Sequence, residues 1–131
     1  MARREEVELI RDRALRMLNS AKHHLSVGDY DIAAFMAEQA AQLFIKCKIL
    51  EATGEMPRTH VIRRLLGVLR DLSRDGGAVE DFVKRRRSLL IRLEEAYLAL
   101  RYLFRRYERD EVEELVSFAE EVIEFVRDLQ V

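Results

Sequence analysis

The stretch that decides the fold is GDYDIAAFMAEQAAQLFIKCKIL, residues 28–50. Placed on a helix at about 100° per residue, Ile32, Met36 and Leu43 form one apolar stripe. Alanines widen this stripe on both sides; they are Ala33, Ala34, Ala37, Ala40 and Ala41. A helix that is apolar around more than half of its circumference must be covered by other protein. The stretch therefore predicts either a central helix of a bundle or a helix that also faces a second subunit, and we hypothesise a homodimer through helices that include this one.

The polar side of the same helix is narrow. It contains Asp31, Glu38, Gln42 and Lys46. Because the rest of the helix is apolar, we interpret these residues as its exposed strip. Glu38 and Gln42 are also spaced so that their side chains meet on one face, which leaves a functional pair as the alternative.

Helical periodicity continues on both sides of this stretch. Apolar residues at spacings of three and four predict helices over about residues 4–27, 30–52, 59–73 and 78–107, and a last helix from 110. The helix over 78–107 is expected to bend or break near RRRSLL, residues 85–90. No strand pattern is present. The prediction is an all-α protein, a single domain over residues 1–131 built as an antiparallel bundle of four long helices plus one shorter helix.

Local signals indicate where these helices begin and end. Gly28 and Gly54 are expected to end the first and second helices in the left-handed conformation. Thr59 is expected to cap the third helix. Asp110, followed three residues later by Glu113, predicts a capping box at the start of the last helix.

Composition excludes several classes of protein. The chain has 131 residues, of which 49% are hydrophobic and 36% charged, and this balance is typical of a folded domain. No apolar run approaches the roughly 20 residues that span a bilayer, so no membrane association is predicted. A charged start without a signal-peptide core predicts a cytoplasmic protein. The single cysteine, Cys47, lies in an apolar run and is expected to be a buried thiol. Arginine-rich basic residues with few asparagines fit a heat-adapted source.

Charge is distributed unevenly along the chain. Nine basic and three acidic side chains give residues 84–109 a charge of +6, whereas eight acidic and one basic give residues 110–131 a charge of −7. One interpretation is that the two segments are neighbouring helices whose exposed faces pair. The other is an anion site, because Arg101 and Arg105 fall on one helix face and arginine forks suit phosphate oxygens. Tyr102 and Arg106 lie on the adjacent strip.

Motifs for other chemistry are absent from the sequence. It contains no phosphate-binding glycine loop and no HExxH zinc motif. His23 and His24 are adjacent and point to different faces, and His60 is expected to cap or pack at the start of the third helix. We therefore predict no metal site and no cofactor.

Three segments together resemble the HEPN domain family, especially its small stand-alone archaeal members. They are GDYDIAAFMAEQAAQLFIKCKILEATGEMPRTHVIRRLLGVL (28–69), LEEAYLALRYLFRRY (93–107) and VSFAEEVIEFVRDL (116–129). The resemblance implies a bundle of four or five helices that forms a homodimer around its long helices. It also implies a minimal nucleotidyltransferase as partner, in some cases as a toxin–antitoxin pair.

Some HEPN proteins are metal-independent ribonucleases that use an arginine followed, after four to six residues, by a histidine. The resemblance places this arginine at Arg101 and an associated tyrosine at Tyr107, but residues 102–108 contain no histidine. Arginine stays protonated and cannot replace the imidazole as a base. The resemblance therefore implies a nucleotide- or phosphate-binding subunit whose site residues are Arg101, Arg105, Arg106 and Tyr107. Two alternatives remain: a ribonuclease that uses Arg101 with an unrecognised base on RNA, and a structural helical adaptor.

Overall fold

The computed structural model describes residues 2–102 and 105–131, and these residues form six α-helices and no strand. The helices are α1 (Ala2–Ser26), α2 (Tyr30–Thr53), α3 (Ile62–Leu72), α4 (Gly76–Arg85), α5 (Arg87–Tyr102) and α6 (Arg109–Asp128). The all-α prediction is confirmed. The predicted count of four long helices plus one shorter helix is wrong, because the stretch over 78–107 contains two helices. The break expected near RRRSLL is confirmed.

The break lies at Arg86. This residue leaves the helical conformation (φ −108°, ψ 17°), so that α4 ends before it and α5 begins after it. The side chain of Arg86 donates two hydrogen bonds of 2.7 Å to the carboxylate of Glu121 in α6, and it lies 5.2 Å from the ring centroid of Phe118. These contacts with α6 accompany the break between α4 and α5. The described part of α5 ends at Tyr102, and residues 105–108 are not helical, so the helix is shorter than predicted; residues 103 and 104 lie outside the described residues.

The ends of the first three helices follow the predicted pattern in part. Gly28 and Gly54 both have positive φ, as predicted. Helix α3, in contrast, starts at Ile62 and not at Thr59, with Val61 as its N-terminal flanking residue. The hydroxyl of Thr59 accepts a hydrogen bond from the Val61 backbone N–H (3.2 Å). Thr59 therefore forms a turn ahead of the helix instead of capping it.

The capping box of α6 is also displaced from its predicted position. It is formed by Glu108 and Glu111, two residues before the predicted pair Asp110 and Glu113. The Glu108 backbone N–H donates to the Glu111 carboxylate (3.0 Å). Glutamate is a less common capping residue than aspartate, which is why the sequence pattern favours the wrong pair.

Helix α2 lies at the centre of the bundle. It contacts α1, α3, α5 and α6. Its alanines at positions 33, 34, 37, 40 and 41 are all fully buried, as is Ile45. Small side chains allow neighbouring helices to approach closely, so the chain itself covers most of the apolar circumference of α2. Cys47 is buried too, as predicted. Within the part of the chain that the structure describes, no helix is long and apolar enough to cross a membrane.

Candidate functional site

Arg101 lies in the last turn of α5 against two aromatic rings. The central guanidinium carbon is 5.2 Å from the ring centroid of Tyr97, one turn earlier in α5, and 5.6 Å from that of Phe35 in α2. Among residues 2–102 and 105–131, no carboxylate forms an ion pair with Arg101. Aromatic faces attract the cation without using its N–H groups. The exposed guanidinium therefore keeps donors for a ligand.

His60 joins the same group of side chains. It belongs to the segment between α2 and α3, and its ring stacks on Tyr97 with 4.4 Å between centroids and 11° between planes. Both His60 and Arg101 therefore contact one tyrosine ring, although nothing in the sequence brings them together. We call Phe35, His60, Tyr97 and Arg101 the aromatic patch.

The other predicted site residues lie beyond α5 and have different neighbours. Arg105 donates a hydrogen bond to the Glu111 carboxylate (2.5 Å), and its guanidinium lies 4.0 Å from the ring centroid of Tyr107. Tyr107 is buried, and its hydroxyl has no hydrogen-bond partner among the described residues. Arg106 is exposed. The structure thus brings Arg105 and Tyr107 together, whereas Arg101 belongs to the aromatic patch.

Burial changes the acidity of Tyr107. It raises the pKa of the phenol, because the phenolate is poorly solvated inside the protein, while the positive charge of Arg105 acts in the opposite direction. The phenol is therefore neutral at physiological pH. Arg105 and Tyr107 together hold residues 105–108 against the start of α6.

Several basic residues pair with the acidic last helix, as one of the two interpretations expects. Arg86 pairs with Glu121 and Arg92 with Glu114, each at 2.7 Å, in addition to the pair that Arg105 forms. Exposed pairs of this kind stabilise a fold only weakly. They account for three of the arginines but not for Arg101.

Glu38 is the residue for which the sequence interpretation is wrong. It is fully buried, and Gln42 is 7% exposed, so they do not form an exposed strip. The Glu38 carboxylate accepts hydrogen bonds from the side-chain amides of Gln39 (2.7 Å) and Gln42 (2.8 Å). The physical reason is that α2 is surrounded by other helices on its polar side as well, including α5.

The environment of Glu38 disfavours its charged form. Burial raises the pKa of this carboxyl to about 7; the amides of Gln39 and Gln42 lower it in part, and the nearby Glu94 raises it further. Lys46 lowers the pKa weakly. Glu38 therefore holds its proton to a higher pH than an exposed glutamate does.

Glu94 connects α5 to the start of α3. Its carboxylate accepts hydrogen bonds from the Arg63 side chain (3.0–3.1 Å) and from the Arg63 backbone N–H (3.0 Å). Glu94 lies one turn before Tyr97 in α5. The ion pair thus fixes the start of α3, and with it the segment that carries His60, relative to Tyr97 and Arg101 in α5. Over the described residues, no group of three His, Cys, Asp or Glu side chains is placed to hold a metal ion.

The HEPN domain model matches residues 7–129, which is nearly the whole chain. The chain belongs to the HEPN domain family. The crystal structure of TT1696 from Thermus thermophilus is similar to this HEPN protein, with a TM-score of 0.77 and 31% sequence identity over 93% of this chain and 96% of that one. ST0689, an archaeal HEPN homologue, has a TM-score of 0.64 and 23% identity over 92% of this chain and 94% of its own. No curated protein matches the chain.

Proposed function

We propose that this HEPN protein binds a nucleotide at the aromatic patch. The observation that supports this most directly is the state of Arg101, which lies over two rings and has no carboxylate partner in the described part of the chain. Arginine donates two parallel hydrogen bonds to a phosphate. His60 is exposed at the end of the stack that it forms with Tyr97. A base can extend this stack while Arg101 contacts the phosphate.

The remaining predicted site residues receive supporting roles in this proposal. Arg106 is exposed and supplies a second phosphate contact. Arg105 is engaged by Glu111, and Tyr107 is buried beneath Arg105. We assign these two residues to positioning Arg106 next to the site.

Replacement of Arg101 tests the proposal. In wild-type protein, ATP or GTP at millimolar concentration is expected to raise the unfolding temperature by mass action. In Arg101→Ala this shift is expected to disappear, because one charge-assisted contact contributes about 1.5–3 kcal/mol, roughly ten- to hundredfold in Kd. Arg92→Ala is the matched control, since this arginine lies in the same helix and pairs with Glu114. A wild-type protein without any shift contradicts nucleotide binding and favours a helical adaptor.

We propose that the protein forms a homodimer through the outer side of α5. The alanines of α2 are covered within one chain, so they do not require a second subunit. Two large apolar side chains near Arg101 share one face of α5 and are exposed instead: Leu98 (43%) and Tyr102 (68%). A dimer through these residues places two aromatic patches close to one interface. Light scattering that gives the mass of a single chain contradicts this proposal.

We further propose a minimal nucleotidyltransferase as partner, in a toxin–antitoxin-like pair that acts in the cytoplasm. Support comes from the family resemblance, since many small HEPN proteins are encoded beside such an enzyme. Co-expression with a nucleotidyltransferase encoded beside this protein, followed by size-exclusion chromatography, tests it. Separate elution of the two proteins contradicts the partnership.

A second candidate function is RNA cleavage, and the position of His60 favours it. Neutral imidazole can accept the proton of a ribose 2′-hydroxyl, so that the 2′-oxygen attacks the adjacent phosphorus. The bond to the 5′-oxygen then breaks, and that oxygen takes a proton. The products are a 2′,3′-cyclic phosphate and a 5′-hydroxyl. Arg101 is suited to stabilise the charge that develops on the phosphate oxygens.

The cleavage reaction has its own test. If His60 is the base, His60→Ala is expected to lower the cleavage rate of an oligoribonucleotide by about 10²–10⁴-fold. His24→Ala is the control, because this histidine lies near the end of α1 and contacts Asp29 (3.2 Å). Cleavage at the wild-type rate in His60→Ala, or no cleavage by the wild-type protein, excludes this candidate.

A further inference from the structure

A second basic surface lies away from the aromatic patch, in a groove between α3, α4 and α5. The groove has a volume of about 320 Å³. Leu66 and Val83 form part of its apolar floor, Gly67 lies on its α3 side, and Lys84 and Arg87 lie at its α4–α5 side. We call it the Gly67 groove. Arg87 and Arg101 lie at opposite ends of α5, about 21 Å apart along the helix axis at 1.5 Å per residue. Arg63 lines both the groove and the neighbouring cavity beside His60 and Tyr97.

Gly67 has no internal role that requires a glycine. It lies in the middle of α3, where glycine destabilises a helix relative to alanine. A Cβ atom built at this position meets nothing within 4 Å among the described residues, and the φ angle is not positive. The space over Gly67 is the open groove itself. A glycine here keeps the helix surface accessible to a molecule from outside.

The basic run KRRR at residues 84–87 contains two residues that form ion pairs and two that do not. Arg85 and Arg86 each form an ion pair of 2.7 Å with a carboxylate. Lys84 and Arg87 form no ion pair with any residue of the described ranges 2–102 and 105–131, and both line the Gly67 groove. Within this run, Lys84 and Arg87 are therefore the two cations without an ion pair among the described residues, and both face one groove.

The other charges around the groove do not neutralise these two cations. Arg63 and Arg70 line it as well, and Glu80 is its one carboxylate within the described residues. Arg63 pairs with Glu94 (3.0 Å), and Arg70 pairs with Asp71 (3.1 Å) and more loosely with Glu80 (3.8 Å). None of these carboxylates forms an ion pair with Lys84 or Arg87. Like charges that converge without a counter-ion repel one another. An anionic ligand removes this repulsion.

We propose that the Gly67 groove is a binding site for phosphate groups, with Lys84 and Arg87 as the residues that contact them. Arg87 presents a planar fork and Lys84 a compact charge, and both are donors that phosphate oxygens accept. The absence of a side chain at position 67 allows the phosphate to enter the groove. This chemistry is shared by a single-stranded nucleic acid backbone and by a free polyphosphate.

The test compares two probes and two basic variants. The probes are tripolyphosphate and a short single-stranded oligouridylate, titrated against the full-length protein. Lys84→Ala combined with Arg87→Ala is expected to weaken binding by roughly tenfold or more, because two charge-assisted contacts are lost. Arg85→Ala is the matched control: it removes a cation from the same run, but one that pairs with Asp81 and does not line the groove.

Gly67→Gln is a variant whose loss of binding would not be due to misfolding. Glutamine favours the helix more than glycine does, so the unfolding temperature is expected to stay the same or rise. The longer side chain occupies the groove, so binding of both probes is expected to fall. Loss of binding together with retained stability shows that the space over Gly67 is the site.

The two probes distinguish the possible ligands. For oligouridylate, the logarithm of the binding constant is plotted against the logarithm of the salt concentration. If the slope is smaller in magnitude by roughly 1.4 in the double variant, two phosphate contacts have been lost, which supports a nucleic acid strand as ligand. Binding of tripolyphosphate alone supports a free polyphosphate. The proposal is overturned if neither probe binds wild-type protein, or if Arg85→Ala weakens binding as much as the double variant. The double variant is also compared with Arg101→Ala as the background protein, where binding at the nucleotide site does not contribute, so this site and the nucleotide site can fail independently.

Discussion

Glu38→Gln is expected to stabilise the protein at about pH 8 by as much as about 3 kcal/mol, while changing its stability little at about pH 4. The reason is the carboxyl group buried inside the bundle, whose pKa rises from 4.5 to about 7 on folding. Between these two values the unfolded chain has released a proton that the folded chain still holds. The contribution of Glu38 to stability therefore falls as pH rises through this window, and it stays low above it. Glutamine fits the same space without a proton to lose.

Urea unfolding at a series of pH values measures this effect. The difference in unfolding free energy between Glu38→Gln and wild type is expected to grow from about pH 4.5 to about pH 7 and then level off. Glu94 raises and Lys46 lowers the pKa of the same carboxyl, but both residues are present in the variant and in the wild-type protein. Glu124→Gln, an exposed substitution in α6, is the control and should show no such growth. Parallel pH curves for Glu38→Gln and wild type contradict the buried, protonated state.

Ile45→Ala is expected to lower the free energy of unfolding by about 2–5 kcal/mol. Ile45 is fully buried in α2, where its side chain is surrounded by the central core. Removal of three carbon atoms there loses the transfer free energy of those atoms and leaves a cavity that well-packed neighbours fill only in part. Denaturant midpoints at constant slope give the change directly.

The same substitution at the start of the same helix is the control. Ile32 is 37% exposed, so Ile32→Ala is expected to cost about 1 kcal/mol or less. The two variants share the residue type and the helix, and they differ in how deeply the replaced side chain is buried. Equal losses at the two positions would show that the middle of α2 is no better covered than its first turn.

The fold was predictable where it depends on local pattern. The periodicity of residues 28–50 predicts a helix that protein must surround, and the positive φ angles of Gly28 and Gly54 follow from the absence of a Cβ atom. The break at Arg86 was predicted only to within residues 85–90. Its exact position coincides with contacts to Phe118 and Glu121, which lie in another helix. The local sequence pattern does not predict such contacts.

The candidate site was predictable to a smaller extent. Arg101 follows from the family resemblance, and Tyr97 was readable as its neighbour one helical turn earlier. Phe35 and His60 were not, because only the packing of α2 and of the segment before α3 brings them to α5. For Glu38 a signal did exist: Ala34, Ala37 and Ala41 surround it on the helix surface, and a position enclosed by alanines is typical of close helix packing.

The turn at Arg86 sets the rotational register of α5. Arg87, one residue after the turn, faces the Gly67 groove, and Arg101, in the final turn of the same helix, faces Phe35. Successive residues of a helix are about 100° apart around its axis. Inserting or deleting one residue at this turn would therefore rotate the rest of α5 by about 100° relative to α4. Such a change would displace both arginines at once. The chain can therefore vary the length of its other loops more freely than the length of this one-residue connection.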